Sequence, residues 1–161
     1  MKNLKGTDLK KVKYYLEVAT KEARKATCSR AQCGAVIVNS DVIVGVGHNS
    51  PPLDNNVSRM CNNQYTYSKK TKLKYDTTCC VHAEWRALTD TLKNNSSKLA
   101  GSTLYFMRIE DDNPIKTQPF CTVCSRLQLD LGVKETVLWQ DEGYISYDSL
   151  SYNQTSYAYF L

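Results

Sequence analysis

Residues 34–46 read GAVIVNSDVIVGV, two short apolar runs that are rich in β-branched side chains. Between them, residues 39–41 (Asn-Ser-Asp) are of the types that favour tight turns. Val and Ile fit the pleated, half-buried surface of a sheet. The stretch therefore predicts a β-hairpin with strands at 34–38 and 42–46.

Helical patterns lie on both sides of this hairpin. From Thr7 to about Ala26, apolar residues recur at spacings of three and four, as on one face of an amphipathic helix, and Thr7 is a suitable N-cap. Further helices are predicted from about Val81 to Leu92 and from near Cys121 to Gly132, with strands at 103–107 and 136–139. The order of helix, strand, strand, helix, strand, helix, strand indicates an α/β sandwich around a mixed sheet.

The composition is that of a globular protein. The 161 residues fit one domain, and no apolar run approaches the roughly 20 residues that span a bilayer. The N-terminus lacks an apolar stretch followed by a cleavage site, which predicts a cytoplasmic protein. In that compartment, the odd count of seven cysteines favours metal binding or catalysis over disulfides. The net charge of +5 favours anionic partners such as nucleotides.

Two cysteines three residues apart mark the start of the third predicted helix, in the sequence Pro119-Phe120-Cys121-Thr122-Val123-Cys124. This spacing puts both sulfurs on one side of the helix, where a single tetrahedral zinc can bridge them. The positive end of the helix favours the thiolate form that binds metal. A pair of buried thiols and a redox-active Cys-x-x-Cys are the alternatives.

The sequence His82-Ala83-Glu84 opens the second predicted helix. One imidazole and two thiolates would give zinc three protein ligands and leave the fourth position for water, as in catalytic sites. Zinc lowers the pKa of such a water to roughly 7, and a neighbouring carboxylate such as that of Glu84 can carry its proton to a leaving group. An ordinary helix start with a capping charge is the alternative.

Together these motifs resemble the cytidine/deoxycytidylate deaminase superfamily. The resemblance covers about residues 25–139 and is nearest to deoxycytidylate (dCMP) deaminases. The segments that carry it are Cys28-Ser29-Arg30-Ala31-Gln32-Cys33-Gly34-Ala35-Val36-Ile37-Val38, Gly47-His48-Asn49-Ser50-Pro51, Val81-His82-Ala83-Glu84 and the pair Cys121 and Cys124. Phe120 departs from the pattern, since it separates Pro119 from the first cysteine.

The resemblance implies a fold, a cofactor and a reaction. The fold is a three-layer α/β/α sandwich with a mixed, mainly five-stranded sheet, in a single domain spanning 1–161 that usually forms homo-oligomers. His82, Cys121 and Cys124 bind zinc, Glu84 moves the protons, and Asn49 and Ala83 contact the substrate. The reaction is the hydrolysis of dCMP to dUMP and ammonia. Small cytidine deaminases have cysteine in place of His82, so a free cytidine specialist is disfavoured.

Some dCMP deaminases carry a second, structural zinc, and Cys28 stands where one of its ligands would be. The resemblance therefore suggests a second zinc held by Cys28, Cys61 and one or both of Cys79 and Cys80. Such a metal would order the polar insertion at about 50–80, which has few apolar residues of its own. Buried free thiols are the alternative.

Three other functions stay open at this point. Tyr65–Tyr75 interleaves aromatic residues with lysines, which suits deamination of bases in tRNA or single-stranded nucleic acid, although a solvated loop is the simpler interpretation. A free base such as guanine or cytosine is a second possible substrate, and a non-catalytic zinc-binding module is the third alternative. The Tyr-rich tail from about 143 is expected to pack against the sheet, and covering the active site or forming a subunit interface are the alternatives.

Overall fold

The computed structural model describes residues 1–6, 8–28, 30–60 and 79–158. These ranges contain four α-helices and seven β-strands. The helices are α1 (Asp8–Ala23), α2 (Ala83–Asn94), α3 (Thr122–Asp130) and α4 (Ser149–Ala158). The strands are β1 (Lys2–Asn3), β2 (Gln32–Asn39), β3 (Val42–His48), β4 (Thr103–Glu110), β5 (Asn113–Ile115), β6 (Glu135–Gln140) and β7 (Gly143–Asp148).

The elements predicted from the sequence are all present among these. The predicted hairpin is the antiparallel pair β2–β3, and β4 continues to Glu110 rather than ending at Met107. Four predictions concern residues outside the described ranges: the N-cap Thr7, the zinc ligand Cys61, the run Tyr65–Tyr75 and the last tail residues, 159–161.

The sheet is mixed, as predicted. Its order is β1-β7-β6-β4-β2-β3, with β5 paired to β4 off this path. Only the β4–β6 pair is parallel among the described strands; the other pairs are antiparallel. Five strands have six or more residues, which matches the expected sheet, and β1 and β5 add two and three residues at its margins. Elements this short leave no periodic pattern in a sequence.

The predicted three layers are confirmed by two apolar clusters, one on each face of the sheet. On one face, Val12, Leu16 and Ala19 of α1 pack against Val36 and Met107. On the other, α2 packs with the opposite side chains of the same strands, in a cluster that includes Ala35, Ile37, Ala83, Ala87, Leu88 and Leu104. Helices α3 and α4 share this second face, so the predicted metal ligands of α2 and α3 lie on the same side of the sheet.

Helix α2 approaches β3 closely because glycines line the contact. A Cβ atom added to Gly47 would lie 2.5 Å from the Ala83 carbonyl oxygen and 2.4 Å from the Ala87 nitrogen. These distances are shorter than any van der Waals contact, so a side chain here would push the first turn of α2 away from the sheet.

The tail forms β7 and α4, two elements that the sequence patterns did not predict. Tyr147 and Tyr152 are buried here with their ring centroids 5.9 Å apart, so packing against the sheet accounts for them. Tyr157 is 49% exposed and Trp85 on α2 is 38% exposed, so neither is a core residue. No helix in the described ranges is both long and apolar enough to cross a bilayer.

Candidate metal centre and active site

His82 lies immediately before α2, as its N-cap residue in an extended conformation. The preceding chain is fixed by a bridge between Val81 and Ser50, in which the Val81 amide donates to the Ser50 carbonyl at 2.9 Å. This bridge connects the start of α2 to the segment that follows β3. The position of the imidazole is therefore determined by the sheet and by the first turn of the helix.

Cys121 has the equivalent position before α3. It is the N-cap residue, and its sulfur accepts a hydrogen bond from the Cys124 amide at 3.3 Å. Pro119, two residues before it, is fully buried, whereas Phe120, the residue between them, is 46% exposed. The first turn of α3 then returns Cys124, which is fully buried, to the same side as Cys121.

The three predicted ligands come together. His82 Nδ1 lies 3.1 Å from Cys124 Sγ and 3.5 Å from Cys121 Sγ. All three ligand atoms lie within 4.8 Å of one another, and no other group of three potential ligands in the described ranges is this compact. A tetrahedral zinc with ordinary bond lengths separates nitrogen from sulfur by roughly 3.6 Å. The donor types and their spacing therefore fit zinc, with Nδ1 as the atom of His82 that faces it.

The charges of these groups are already separated. The pKa of Cys121 falls to about 4, first through its hydrogen bond with Cys124 and then through His82. Its thiolate in turn raises the pKa of His82 to about 9. The pKa of Cys124 is raised well above its usual value, mainly by burial. At neutral pH and without metal, the site thus holds one thiolate, one imidazolium and one thiol.

Glu84 lies in the first turn of α2, two residues after His82, and is 6% exposed. Burial is the main cause that raises its pKa, and the negative charge of Cys121 adds to it. A carboxyl group with a raised pKa exchanges protons near neutral pH more readily than an exposed one. Its position and environment therefore suit a proton carrier beside the metal ligands.

Asn49 and Ala83, the predicted substrate contacts, lie beside this group. Asn49 is 8% exposed; its side-chain oxygen accepts from the Cys33 amide at 2.8 Å, and its nitrogen donates to the Ala31 carbonyl at 2.7 Å. These bonds fix the amide at the end of β3. Ala83 is fully buried as the first residue of α2. Their contact with substrate stays a prediction.

Among the described residues, Cys28, Cys79 and Cys80 do not form a second group as compact as that of His82, Cys121 and Cys124. Cys79 Sγ and Cys80 Sγ are 4.0 Å apart, and contact with Cys28 adds to burial in raising the pKa of Cys80. The described cysteines are free of disulfides. Because Cys61 lies outside the described residues, the second zinc stays a prediction.

The sequence patterns did not identify the residues of α4 that contact α3 and Glu84. Ser125, next to Cys124, bonds Asn153 Oδ1 at 2.8 Å and Ser156 Oγ at 2.9 Å, which attaches α3 to α4. Tyr152 of α4 is buried close enough to Glu84 for that carboxylate to contribute to its raised pKa, after burial itself. The crowding of tyrosines in the tail was the only sequence signal of this support.

The sequence profile of the cytidine and deoxycytidylate deaminase zinc-binding region matches residues 9–140. Among characterised relatives, the deoxycytidylate deaminase of Mycobacterium phage D29 is 30% identical over 128 residues, which cover 77% of this chain and 90% of that protein. The deoxycytidylate deaminase of Schizosaccharomyces pombe is 26% identical over 129 residues. That match covers 77% of this chain but only 35% of the yeast protein.

Solved structures share the fold. The dCMP deaminase of cyanophage S-TIM5, determined with dCMP and dUMP, aligns with a TM-score of 0.53 and 23% identity, covering 83% of this chain and 82% of that one. The cytidine deaminase of Burkholderia pseudomallei aligns with a TM-score of 0.56 and 20% identity, covering 87% and 94%. From the extent of the profile match, the chain belongs to the cytidine and deoxycytidylate deaminase zinc-binding family.

Proposed function

We propose that this member of the cytidine and deoxycytidylate deaminase family converts dCMP to dUMP and ammonia by zinc-dependent hydrolysis. The observation that carries the proposal is the convergence of His82, Cys121 and Cys124 with a buried Glu84 beside them. The 30% identical phage relative, a deoxycytidylate deaminase, supports the choice of nucleotide.

In this proposal His82 Nδ1 and the sulfurs of Cys121 and Cys124 hold the zinc. With three protein ligands the metal would stay accessible to water, and zinc would supply the Lewis acidity that makes a water a nucleophile near neutral pH. Cys121 is ready to bind as a thiolate, whereas His82 and Cys124 must each lose a proton.

Glu84 moves the protons. It accepts one from the water as the oxygen attacks C4 of the base and delivers it to N3; it then takes the second proton from the new hydroxyl group at C4 and passes it to the amine, so that the C4–N bond breaks and ammonia leaves. Its burial supports this role, because a carboxyl group whose pKa is raised can both take up and release a proton in one catalytic cycle. Asn49, held by β2, and Ala83, at the start of α2, orient the base.

The proposal is tested by ammonia release and product mass from zinc-loaded protein. The substrates are dCMP, CMP, deoxycytidine, cytosine, guanine, adenosine and single-stranded oligonucleotides. Glu84→Gln keeps the shape of the side chain and should reduce turnover about 1000-fold. Glu17→Gln is the matched control, because Glu17 is exposed on α1 and pairs only with Lys21 in the described contacts.

Each outcome assigns a function. Turnover of dCMP that Glu84→Gln abolishes and a chelator removes, with recovery on adding zinc, would support the proposal. Turnover of oligonucleotides alone would instead indicate an enzyme acting on nucleic acid, and turnover of a free base alone would exclude the nucleotide. A zinc-loaded protein without activity on any of these substrates would contradict the proposal and favour a non-catalytic zinc module.

Three further expectations belong to the proposal. A second zinc bound through Cys28, Cys61 and one or both of Cys79 and Cys80 is supported by the contact between Cys28 and Cys80, and a measured content of two zinc ions per chain would agree with it. A content of one would exclude it. The single domain is further expected to act as a cytoplasmic homo-oligomer on a small nucleotide, and light scattering after size-exclusion chromatography measures that state.

A further inference from the structure

One arginine projects from the inner face of the sheet, where the metal ligands also lie. In the antiparallel ladders, Arg108 of β4 is directly opposite Cys33 of β2 and Ile115 of β5. Residues paired in this way point to the same face. Cys33 packs with the α2 cluster, as do Phe106 and Leu104, which precede Arg108 at intervals of two. Arg108 therefore belongs to the α2 and α3 side of the sheet.

The ladder also places Arg108 relative to the active site. A row here means the side chains that face each other across neighbouring strands on one face of the sheet. The row before that of Arg108 contains Gly47 of β3, Ala35 of β2 and Phe106 of β4. Gly47 is where the first turn of α2 meets the sheet. The row of Arg108 lies two residues, about 7 Å, further along the strands, beyond the start of the helix. It adjoins Asn49, whose side chain bonds the Cys33 amide at 2.8 Å. Charges on both Glu84 and Arg108 act on Cys33, which supports this proximity.

The guanidinium group has unused hydrogen-bonding capacity. Its Nη2 donates to Glu110 Oε1 at 2.5 Å, while its buried Nε has no hydrogen-bond partner among the described residues. The side chain is 39% exposed, so an incoming ligand can reach it. Glu110 is 54% exposed and can turn into solvent when an anion takes its place. A planar guanidinium group with free N–H donors can bind phosphate through two parallel hydrogen bonds.

We propose that Arg108 binds the 5′-phosphate of the nucleotide substrate and thereby makes the enzyme prefer nucleotides to nucleosides. This inference rests on the proposed function, because it needs the base to lie over Glu84 and Asn49. The phosphate then extends along the row Cys33, Arg108 and Ile115, away from α2. Arg108 is a specificity residue that acts in binding and takes no part in proton transfer.

The first experiment compares Arg108→Ala and Arg108→Lys with wild type on dCMP and on deoxycytidine. Arg108→Ala should lower kcat/KM for dCMP about 100-fold, mostly through KM, while kcat/KM for deoxycytidine changes less than about threefold. Arg108→Lys retains the positive charge but not the planar guanidinium group, and should lower kcat/KM for dCMP about tenfold. Retained turnover of deoxycytidine also shows that the variants fold.

Arg24→Ala is the matched control. Arg24 is an exposed arginine that bonds Asp112 at 2.8 Å, in the turn between β4 and β5, but it extends from the end of α1 on the other side of the sheet. The variant removes one positive charge that contacts the β4–β5 turn, without removing a group from the face of the sheet that carries Arg108. Its kcat/KM for dCMP should equal that of wild type within a factor of two.

A binding measurement separates this inference from the proposed function. Calorimetry on zinc-loaded protein carrying Glu84→Gln gives Kd for dCMP and for deoxycytidine, with and without Arg108→Ala. If wild type does not deaminate dCMP but binds it more tightly than deoxycytidine only when Arg108 is present, the proposed function fails and the phosphate contact stands. Equal losses for both ligands, or no loss for dCMP, would overturn the role of Arg108.

Discussion

Helices α2 and α3 both begin at the metal site, but they bury different kinds of side chain. Ala83, Ala87 and Leu88 of α2 are fully buried, and the helix lies against the glycines of β3. Helix α3 buries Ser125 and Gln128 instead, and it is attached by hydrogen bonds to α4 and β6. One ligand is thus positioned by close apolar packing and two by a polar network.

The two kinds of support differ in how they tolerate change. Close packing leaves no room for an added atom. A larger side chain at the contact between α2 and β3 should therefore lower stability strongly and displace only the neighbouring turn of the helix. A polar network loses one bond at a time, so a single substitution costs about 1–3 kcal/mol and leaves its other bonds in place. Gln128 shows that the network tolerates an unmade bond. Its side-chain oxygen accepts from Thr136 at 2.6 Å, while its side-chain nitrogen has no partner in the described part of the chain.

The largest expected effect concerns the protons that each helix releases on binding zinc. His82 of α2, with a pKa of about 9, and Cys124 of α3, with a raised pKa, must each lose a proton. Cys121, with a pKa of about 4, is already ionised. Zinc affinity should therefore rise about 100-fold per pH unit between about pH 5 and 8, because two protons leave. Chelator competition across this range, corrected for the titration of the chelator, measures the slope.

The control for that slope is His82→Gln, which removes the proton contributed by α2. The slope should fall toward about tenfold per pH unit, because His82 no longer releases a proton and the hydrogen bond with Cys124, the largest cause of the low pKa of Cys121, remains. A wild-type slope of about 1000-fold would mean that Cys121 is also protonated before binding. That result would contradict the charge separation between the two helices.

The second prediction tests the close contact of α2. Gly47→Ala places a Cβ atom 2.5 Å or less from backbone atoms of Ala83 and Ala87, and should lower the free energy of unfolding by about 3 kcal/mol. Zinc affinity should fall as well, because the first turn of α2 moves with His82. Denaturant unfolding and zinc competition measure the two effects.

Gly101→Ala is the control for backbone strain. Gly101 has a φ of +78°, but an added Cβ atom would have no neighbour within 4 Å. Its cost should therefore be about 1 kcal/mol, from the left-handed conformation alone. If Gly47→Ala cost no more than this, close packing would not be what holds α2.

The sequence was sufficient for one of these two helices and not for the other. Alanine and leucine spacing predicted α2, and the Cys-x-x-Cys motif predicted where α3 begins, so all three metal ligands could be identified. The support of α3 could not be predicted, because α4 (Ser149–Ala158) has no apolar stripe. Its buried Ser156 looks like a surface residue until Ser125 is known to face it. Arg108 was missed because the predicted strand ended at Met107.

The third prediction addresses the polar network of α3. Ser125→Ala should cost about 1.5 kcal/mol of unfolding free energy, because Asn153 and Ser156 each lose a buried partner. Asn153→Ala should cost about 1 kcal/mol, and the double variant less than the sum. In the cobalt-substituted protein, the absorption bands of the metal should shift, because Cys124 adjoins Ser125.

Gln154→Ala is the matched control on α4, since Gln154 is exposed. It should leave stability unchanged within about 0.5 kcal/mol, along with the cobalt spectrum. Additive losses for Ser125→Ala and Asn153→Ala, with an unchanged spectrum, would show that α4 stabilises the fold without positioning the ligands.

The smallest effect is expected from the loop that leads into α3. Tyr147 donates to Gln140 Oε1 at 2.8 Å, and Gln140 Nε2 bonds Thr117 and Gln118, three to four residues before Cys121. Tyr147→Phe should cost about 1 kcal/mol, since Gln140 loses one buried donor while the ring stays in place. Amide hydrogen exchange should accelerate at residues 121–124 and remain unchanged at residues 83–86. Equal acceleration at both helices would mean that their supports are coupled, and that the contrast between packed and hydrogen-bonded ligands does not hold.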